Sequence, residues 1–210
     1  MAVTDAQRAY EQVKERIITT RMPPGAVIQI DELMADLNLG RTPIREALKL
    51  LEAQKLVVVS PRRGMFVADV TLTDLLQIHE IRLELDALCV CLAVERIAGD
   101  QLEEMRRLVR DVDDCAGKCN QITLLQLDRR FHALIGEAAH NRLLEAEAEK
   151  LYNLSLRIWY LCVNQIAPSD LAEDAFGEIL AAVETKDATR AQRAMRRHIL
   201  HFHESIKQYL

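Results

Sequence analysis

The sequence predicts a mainly α protein: a head of three helices and a β-hairpin over residues 1–70, followed by an all-α antiparallel helical bundle over 73–210. Three observations lead there. Two short β-branched or aromatic runs, Val57-Val58-Val59 and Met65-Phe66-Val67, flank the turn Ser60-Pro61-Arg62-Arg63-Gly64 and follow helical patterning. From Thr73 onward strand signals almost vanish and long amphipathic stretches replace them. The chain has 210 residues, 50% of them apolar, which is enough for two separate cores.

The head reads element by element. Val13, Ile17 and Ile18 recur at helical spacing within 5–21, and Met22-Pro23-Pro24-Gly25 stops that helix, since proline cannot continue the hydrogen-bond ladder. Val27 to Ile30 is a short extended piece. Asp31 is placed to cap a second helix carrying Leu33, Met34 and Leu37 on one side, and Asn38 tolerates the left-handed conformation that ends it. After Leu39-Gly40 a third helix runs to about Lys55. Pro43 fits its first turn, and Ile44, Ala47, Leu48 and Leu51 form its buried stripe. With the hairpin this is a winged helix-turn-helix. In the bundle, breaks are expected at Gly99-Asp100, Gly117 to Asn120, His140-Asn141, Ala167-Pro168 and Lys186-Asp187.

The formal net charge is −5, but residues 1–70 hold 10 Lys and Arg against 9 Asp and Glu, so the acid sits in the C-terminal part. Between 41 and 63, Arg41, Arg45, Lys49, Lys55, Arg62 and Arg63 face only Glu46 and Glu52. That local excess suits phosphate, although charge alone describes a solvated face equally well. Spacing decides. Arg41, Arg45 and Lys49 recur every four residues opposite the apolar stripe, so one side of the third helix is core and the other cationic. Arginines at a helix N-terminus oppose the helix dipole, and a phosphate or guanine edge would offset this. Arg45 has the reach to bond guanine O6 and N7 together, while Thr42 and the first-turn N–H groups suit phosphate. Arg62 and Arg63 beside Gly64 make a wing tip that can approach a neighbouring groove. Double-stranded DNA is the expected partner, with Arg41, Thr42, Arg45, Lys49, Arg62, Arg63 and Gly64 as contacts.

The cysteines, Cys89, Cys91, Cys115, Cys119 and Cys162, are odd in number, and the N-terminus lacks the features of a signal peptide, so a reducing cytoplasm is expected. Cys115 and Cys119 could share a helix face, yet without a second pair the zinc or redox case is weak, and they read as packing residues. No apolar run approaches the roughly 20 residues needed to span a bilayer.

Pro24-Gly25, Leu33, the run Arg41-Thr42-Pro43-Ile44-Arg45-Glu46-Ala47-Leu48, Leu51, Leu56-Val57 and Arg63-Gly64-Met65-Phe66-Val67 together resemble the winged helix of the GntR family, over about residues 8–70. The resemblance implies DNA binding through Arg41, Thr42, Arg45 and Gly64. Two departures stand out. Many relatives carry a basic, DNA-contacting residue where this chain has Asp31, and Asn38 and Gly40 replace the more usual glycine and serine of the turn.

In the bundle Asp128 and His132 lie four apart on one helix face, where they could share a metal or simply pair with each other. His198 is on the last helix, which a bundle could bring alongside. Glu80-x-Arg82, Asp128-x-x-x-His132, Ile179-x-x-Ala182, Lys186-Asp187, Ala191, Ala194-Met195 and His198 are similar to the FadR-type ligand-binding domain (FCD) of the same family, over about 73–205. That resemblance implies effector binding and dimerisation, one divalent transition metal (Zn, Ni or Mn) on one Asp and three His, and a small carboxylate effector. Phe176, three residues before Ile179, stands where the fourth ligand is expected, and phenylalanine cannot coordinate. Asp128, His132 and His198 would then hold an ion with waters, or with His201 as substitute. Without metal, Phe176 would shape the cavity and Arg82, Asn153 and Arg157 would fix the ligand, unless the two arginines serve intramolecular salt bridges. Trp159 and Tyr160 read as core.

These readings combine in a cytoplasmic homodimeric regulator that represses from a palindromic operator, is released by a small-molecule effector and has no membrane partner. An activator or a ligand-insensitive regulator is the nearer alternative, because sequence does not encode the sign of regulation. A metal-dependent enzyme in the bundle is the other. The chain shows no duplicated Glu-x-x-His pattern of carboxylate-bridged helical enzymes, no nucleophile motif and no phosphate loop.

Overall fold

The structure is a computed structural model that describes residues 3–115, 118–163, 165 and 175–207. The chain divides into two compact units, Met1–Thr71 and Leu72–Leu210.

In the first unit, α1 (Asp5–Ile18) starts on Thr4, whose hydroxyl accepts from the Gln7 N–H. It ends before the prolines are reached: Thr20 turns left-handed at φ 56° and the Met22 N–H returns to the Arg16 carbonyl. The extended piece around Val27 lies along the hairpin, with the Ile28 N–H donating to the Met65 carbonyl and the Val67 N–H to that of Ala26. Helix α2 (Ile30–Leu37) begins two residues earlier than the sequence suggests. Gln29 is its cap residue, with no side-chain cap, and Asp31 sits in the first turn instead. Asn38 takes the left-handed conformation (φ 51°, ψ 50°) that ends α2, and after Gly40 α3 (Arg41–Ala53) begins. Ile44, Ala47, Leu48 and Leu51 are at most 1% exposed, and this stripe packs α3 on α1 and α2. Strands β1 (Val57–Ser60) and β2 (Gly64–Val67) pair antiparallel, Val57 opposite Val67 and Ser60 opposite Gly64.

The second unit is helical throughout its described residues: α4 (Leu72–Arg96), α5 (Gly99–Cys115), α6 (Gln121–Ala138), α7 (Arg142–Cys162), α8 (Ala175–Glu184) and α9 (Ala188–Lys207). Helix α4 packs against α6, α7, α8 and α9. Its Val90 and Ala93 join Phe131, Ile135, Ile179 and Met195 in a core from which water is excluded. The helix breaks have local causes. Asn120 and Asn141 cap α6 and α7 by accepting from the Thr123 and Leu144 N–H groups, while His140 and Lys186 adopt positive φ. Gly99-Asp100 opens α5 rather than interrupting the chain, because α4 stops at Arg96. The breaks expected at Gly117 and Ala167-Pro168 lie outside the described residues.

Cys115 and Cys119, expected as packing residues, are joined in a disulfide. The reason is the turn after α5, in which the Lys118 and Cys119 N–H groups both bond back to the Cys115 carbonyl and fold Cys119 over the helix end. Among the described residues no helix is long and apolar enough to cross a membrane.

Candidate functional site

In the first unit α3 turns Arg41, Thr42, Arg45 and Lys49 outward, opposite its buried stripe, and all four are exposed. The two foremost arginines differ. Arg41 is held in an ion pair by Asp31 of α2, both side chains being largely exposed. Among the described residues neither Arg45 nor Lys49 has an ion-pair partner. At the wing Arg62 turns left-handed (φ 63°), Arg63 lies 5.7 Å from the centre of the Phe66 ring, and Gly64 sits at φ 108°. Nothing lies within 4 Å of where a Gly64 side chain would begin, so glycine is required there by its backbone conformation, and the space beside it is open.

In the second unit α6 and α9 bring Asp128, His132 and His198 together, one ligand-type atom from each lying within 4.8 Å of the others. His198 Nε2 is 3.0 Å from Asp128 Oδ1, and His132 Nε2 is 3.6 Å from the same oxygen. The Tyr152 hydroxyl donates to Asp128 Oδ2 at 2.6 Å. Behind His132, Asp86 Oδ2 lies 3.7 Å from its Nδ1 and accepts from Arg82 Nε and Nη2 at 3.0 and 2.8 Å. Arg82 also lies over the Tyr152 ring, 4.9 Å from its centre. Burial alone would raise the Asp128 pKa, but His132, His198 and the Tyr152 hydroxyl more than offset this and hold the carboxyl well below the usual range. Burial also pushes His132 down to about 4 and Tyr152 well up. A neutral imidazole beside a carboxylate is the protonation state a metal requires.

Phe176 is 5% exposed, edge-on to Phe131 and to His198, whose ring centre is 5.0 Å away. His201 is not part of the cluster. Trp159 is buried against Phe202.

A cavity of about 240 Å³ opens beside His132, between α4, α6 and α7, with Met195 of α9 also at its wall. Of the four side chains expected around an effector, Asn153 lines it, whereas Arg82, Arg157 and Phe176 do not. Arg82 is committed to Asp86, and Arg157 is 1% exposed in the interior. The sequence reading passed over Asp86, Glu145, Glu149 and Tyr152. The signals were present as i, i+4 pairs, Arg82 with Asp86 and Glu145 with Glu149, each of which puts both side chains on one helix face. Cys89 also lines the cavity, but burial pushes its thiol up to about 12, so it is no nucleophile at neutral pH.

A second histidine pair, His79 stacked on His203 at 3.9 Å, lies elsewhere in the unit. Burial, then the neighbouring His203 and Arg82, bring His79 down to about 4. With a folded pKa below the unfolded value of 6.5, the unfolded chain binds more protons between those pH values, so stability rises with pH there. The melting temperature in the presence of a chelator is therefore expected to be flat above about pH 6.5 and to fall as pH drops toward 4. His79→Phe should flatten that fall, and an unchanged profile would remove His79 as its cause.

Residues 77–201 match the FCD domain, and residues 5–67 match the bacterial regulatory proteins of the gntR family. Among curated proteins the chain is 26% identical to the HTH-type transcriptional regulator YdhC of Bacillus subtilis over 205 residues, covering 96% of this chain and 90% of that one. It is 28% identical to the HTH-type transcriptional repressor GlaR of Escherichia coli over 200 residues, covering 91% and 90%. Among solved structures, Escherichia coli McbR/YncC superposes with a TM-score of 0.89 at 23% identity, covering 99% of both chains. A GntR regulator from Rhodococcus superposes at 0.77 with 18% identity, covering 98% of both.

Proposed function

This chain belongs to the GntR family of bacterial regulatory proteins, with an FCD domain following its winged helix in sequence, and we propose that it is a homodimeric repressor which a small-molecule effector releases from a palindromic operator. DNA binding and possession of a ligand-binding domain come with the family and its named regulators. The observation that carries the proposal is the two-sided α3, whose apolar stripe is closed off at 0–1% exposure while Arg45 and Lys49 are exposed and carry no ion-pair partner among the described residues. Arg41, Thr42, Arg45 and Lys49 would read one major groove, and Arg62, Arg63 and Gly64 would follow the adjacent backbone. Helix α4 leaves Ile81 and Leu88 48% and 43% exposed, an apolar face that supports pairing with a second copy. The effector acts if it binds one arrangement of the dimer better than the other. A cytoplasmic location follows from that role. The test is titration of the protein with DNA from its own genomic neighbourhood at low salt, where absence of binding to any fragment would sink the reading.

The residues present fit a divalent ion: Asp128, His132 and His198 offer one carboxylate and two imidazoles, with the Asp86 carboxylate 3.7 Å behind His132 and the Tyr152 hydroxyl bonded to Asp128. Such a donor set suits Zn, Ni or Mn. When bound, the ion would supply positive charge and open coordination positions for a ligand oxygen. Phe176 in place of a fourth imidazole should leave the affinity modest. Phe176→His is expected to tighten binding by about tenfold or more, read by calorimetry with zinc, because its ring already stands beside His198. No gain in affinity would remove Phe176 from the cluster's neighbourhood in function.

An organic acid is the effector class that the resemblance suggests. Beyond such an ion, Arg129 is the one cationic side chain among the described residues lining the cavity.

A further inference from the structure

We propose that Cys115 and Cys119 form a reversible thiol–disulfide switch at the α5–α6 corner, closed by hydrogen peroxide and reopened by a thiol reductant, with Cys119 as the sulfur that reacts first. Their disulfide stands in a chain whose other cysteines, Cys89, Cys91 and Cys162, are free. In the reducing cytoplasm proposed for this chain, a disulfide is usually made and broken in use rather than kept for structure. This one spans four positions, and so short a loop constrains the unfolded chain far less than a long one, which leaves its effect local. The switch would survive failure of the regulator reading, since it is read without DNA.

The two sulfurs are placed unequally. Cys115 is the last residue of α5 and 2% exposed, whereas Cys119 is half-buried. Cys119 follows Lys118 and stands just before Asn120, the cap of α6, so a lysine and the positive end of a helix both favour a thiolate there. Cys115 sits at the opposite, negative end of a helix, behind Asp113 and Asp114. The chemistry follows that order. The Cys119 thiolate attacks a peroxide oxygen and the O–O bond breaks, leaving a sulfenic acid while the departing oxygen takes a proton and becomes water. The Cys115 sulfur then displaces the sulfenic hydroxyl, the S–S bond forms and a second water leaves with the Cys115 proton. Two thiols and one hydrogen peroxide thus give one disulfide and two waters. Thiol–disulfide exchange with a reductant returns the two electrons and leaves the reductant oxidised. Closed, the bond ties the residue before the α6 cap to the end of α5. Opened, the turn hangs on the Lys118 and Cys119 N–H groups, which share the Cys115 carbonyl. From that corner α6 runs through buried Leu124 and Leu125 to Asp128, and Val112 of α5 borders the same small space as those three. The thiol state therefore sets how firmly the first two turns of α6 are held.

The test uses the full chain, reduced with dithiothreitol, freed of it and then given hydrogen peroxide, with each cysteine followed by differential alkylation and peptide mass. The Cys115–Cys119 pair should close at least about tenfold faster than Cys91, the half-buried free thiol, is oxidised, and millimolar glutathione should reopen it. Cys115→Ser should trap a sulfenic acid on Cys119 that dimedone labels, whereas Cys119→Ser should leave Cys115 unlabelled. Amide exchange over residues 121–127 should be at least about fivefold faster in the reduced chain than in the oxidised one, with α7 unchanged. A pair that resists glutathione is a structural disulfide, and a pair that reacts no faster than Cys91 has no sensing chemistry; either result overturns the switch. Dimedone on Cys115 overturns the assigned order, and equal exchange in both states overturns the hold on α6. Should a serine variant fail to fold, the parent chain in its two thiol states still carries the rate, the reversal and the exchange.

Discussion

Arg45→Ala should weaken binding to the specific operator by about 1 to 3 kcal/mol, a factor of roughly five to a hundred and fifty, with no change in melting temperature. The side chain is exposed on α3, contributes nothing to the Ile44-Leu48-Leu51 stripe and carries no ion pair among the described residues, so its loss costs the fold little. Its proposed use is toward a groove edge, where a two-pronged contact to guanine is the strongest discrimination a side chain offers. Arg41→Ala should cost less, because Asp31 already competes for that guanidinium. The companion variant Asp31→Asn follows from the same ion pair. It frees Arg41 and removes a negative charge from the side proposed to face DNA, so affinity for any duplex should rise and the salt dependence should steepen by about one phosphate contact. Anisotropy titrations over a salt series read both variants. Equal losses for Arg41→Ala and Arg45→Ala would show that the Asp31 pair has no hold on Arg41.

Asp128→Ala should destabilise the helical unit by about 2 to 5 kcal/mol and abolish zinc binding. The carboxylate is 4% exposed and is met by the Tyr152 hydroxyl on one oxygen and His198 on the other. Removing it strands a buried hydroxyl and an imidazole N–H where water does not reach, a larger penalty than the bonds themselves. Asp128→Asn keeps an acceptor for Tyr152 and should recover much of the stability without recovering tight metal binding, since a neutral amide oxygen is a poor ligand for these ions. Denaturant unfolding and zinc calorimetry on the two variants distinguish structural from metal-binding loss. If Asp128→Ala melts like the parent, the cluster is not holding α6, α7 and α9 together.

Much of the DNA-reading head was legible because its determinants are local. Asn38 before Gly40, the alternation of stripe and cation on α3, and the glycine-ended turn between two β-branched runs each act within a few residues, and the observed elements begin and end within about two residues of those signals. Asp31 was misread as a cap because a shift of two residues in a helix start turns a capping position into a first-turn one. In the bundle, helix ends were legible at Asn120 and Asn141 for the same local reason. Arg82 shows the opposite case. Its residue type suggested a ligand contact, yet Asp86 one turn away takes it first.

Helical and strand periodicity, which short stretches of chain carry alone, set the order of elements, the two-sided α3, the wing and the pair Asp128 and His132 on one helix face. Packing of whole helices is what closes His198, seventy positions later, on Asp128. It also decided that Phe176 lies against that histidine and that Arg82 turns away from the cavity to Asp86. It left α7 to line the cavity with Glu145, Glu149 and Asn153. Such neighbours are chosen by how whole helices pack to bury their apolar faces. Packing fills space across the entire unit at once, so no local window of residues encodes which polar side chains it brings face to face.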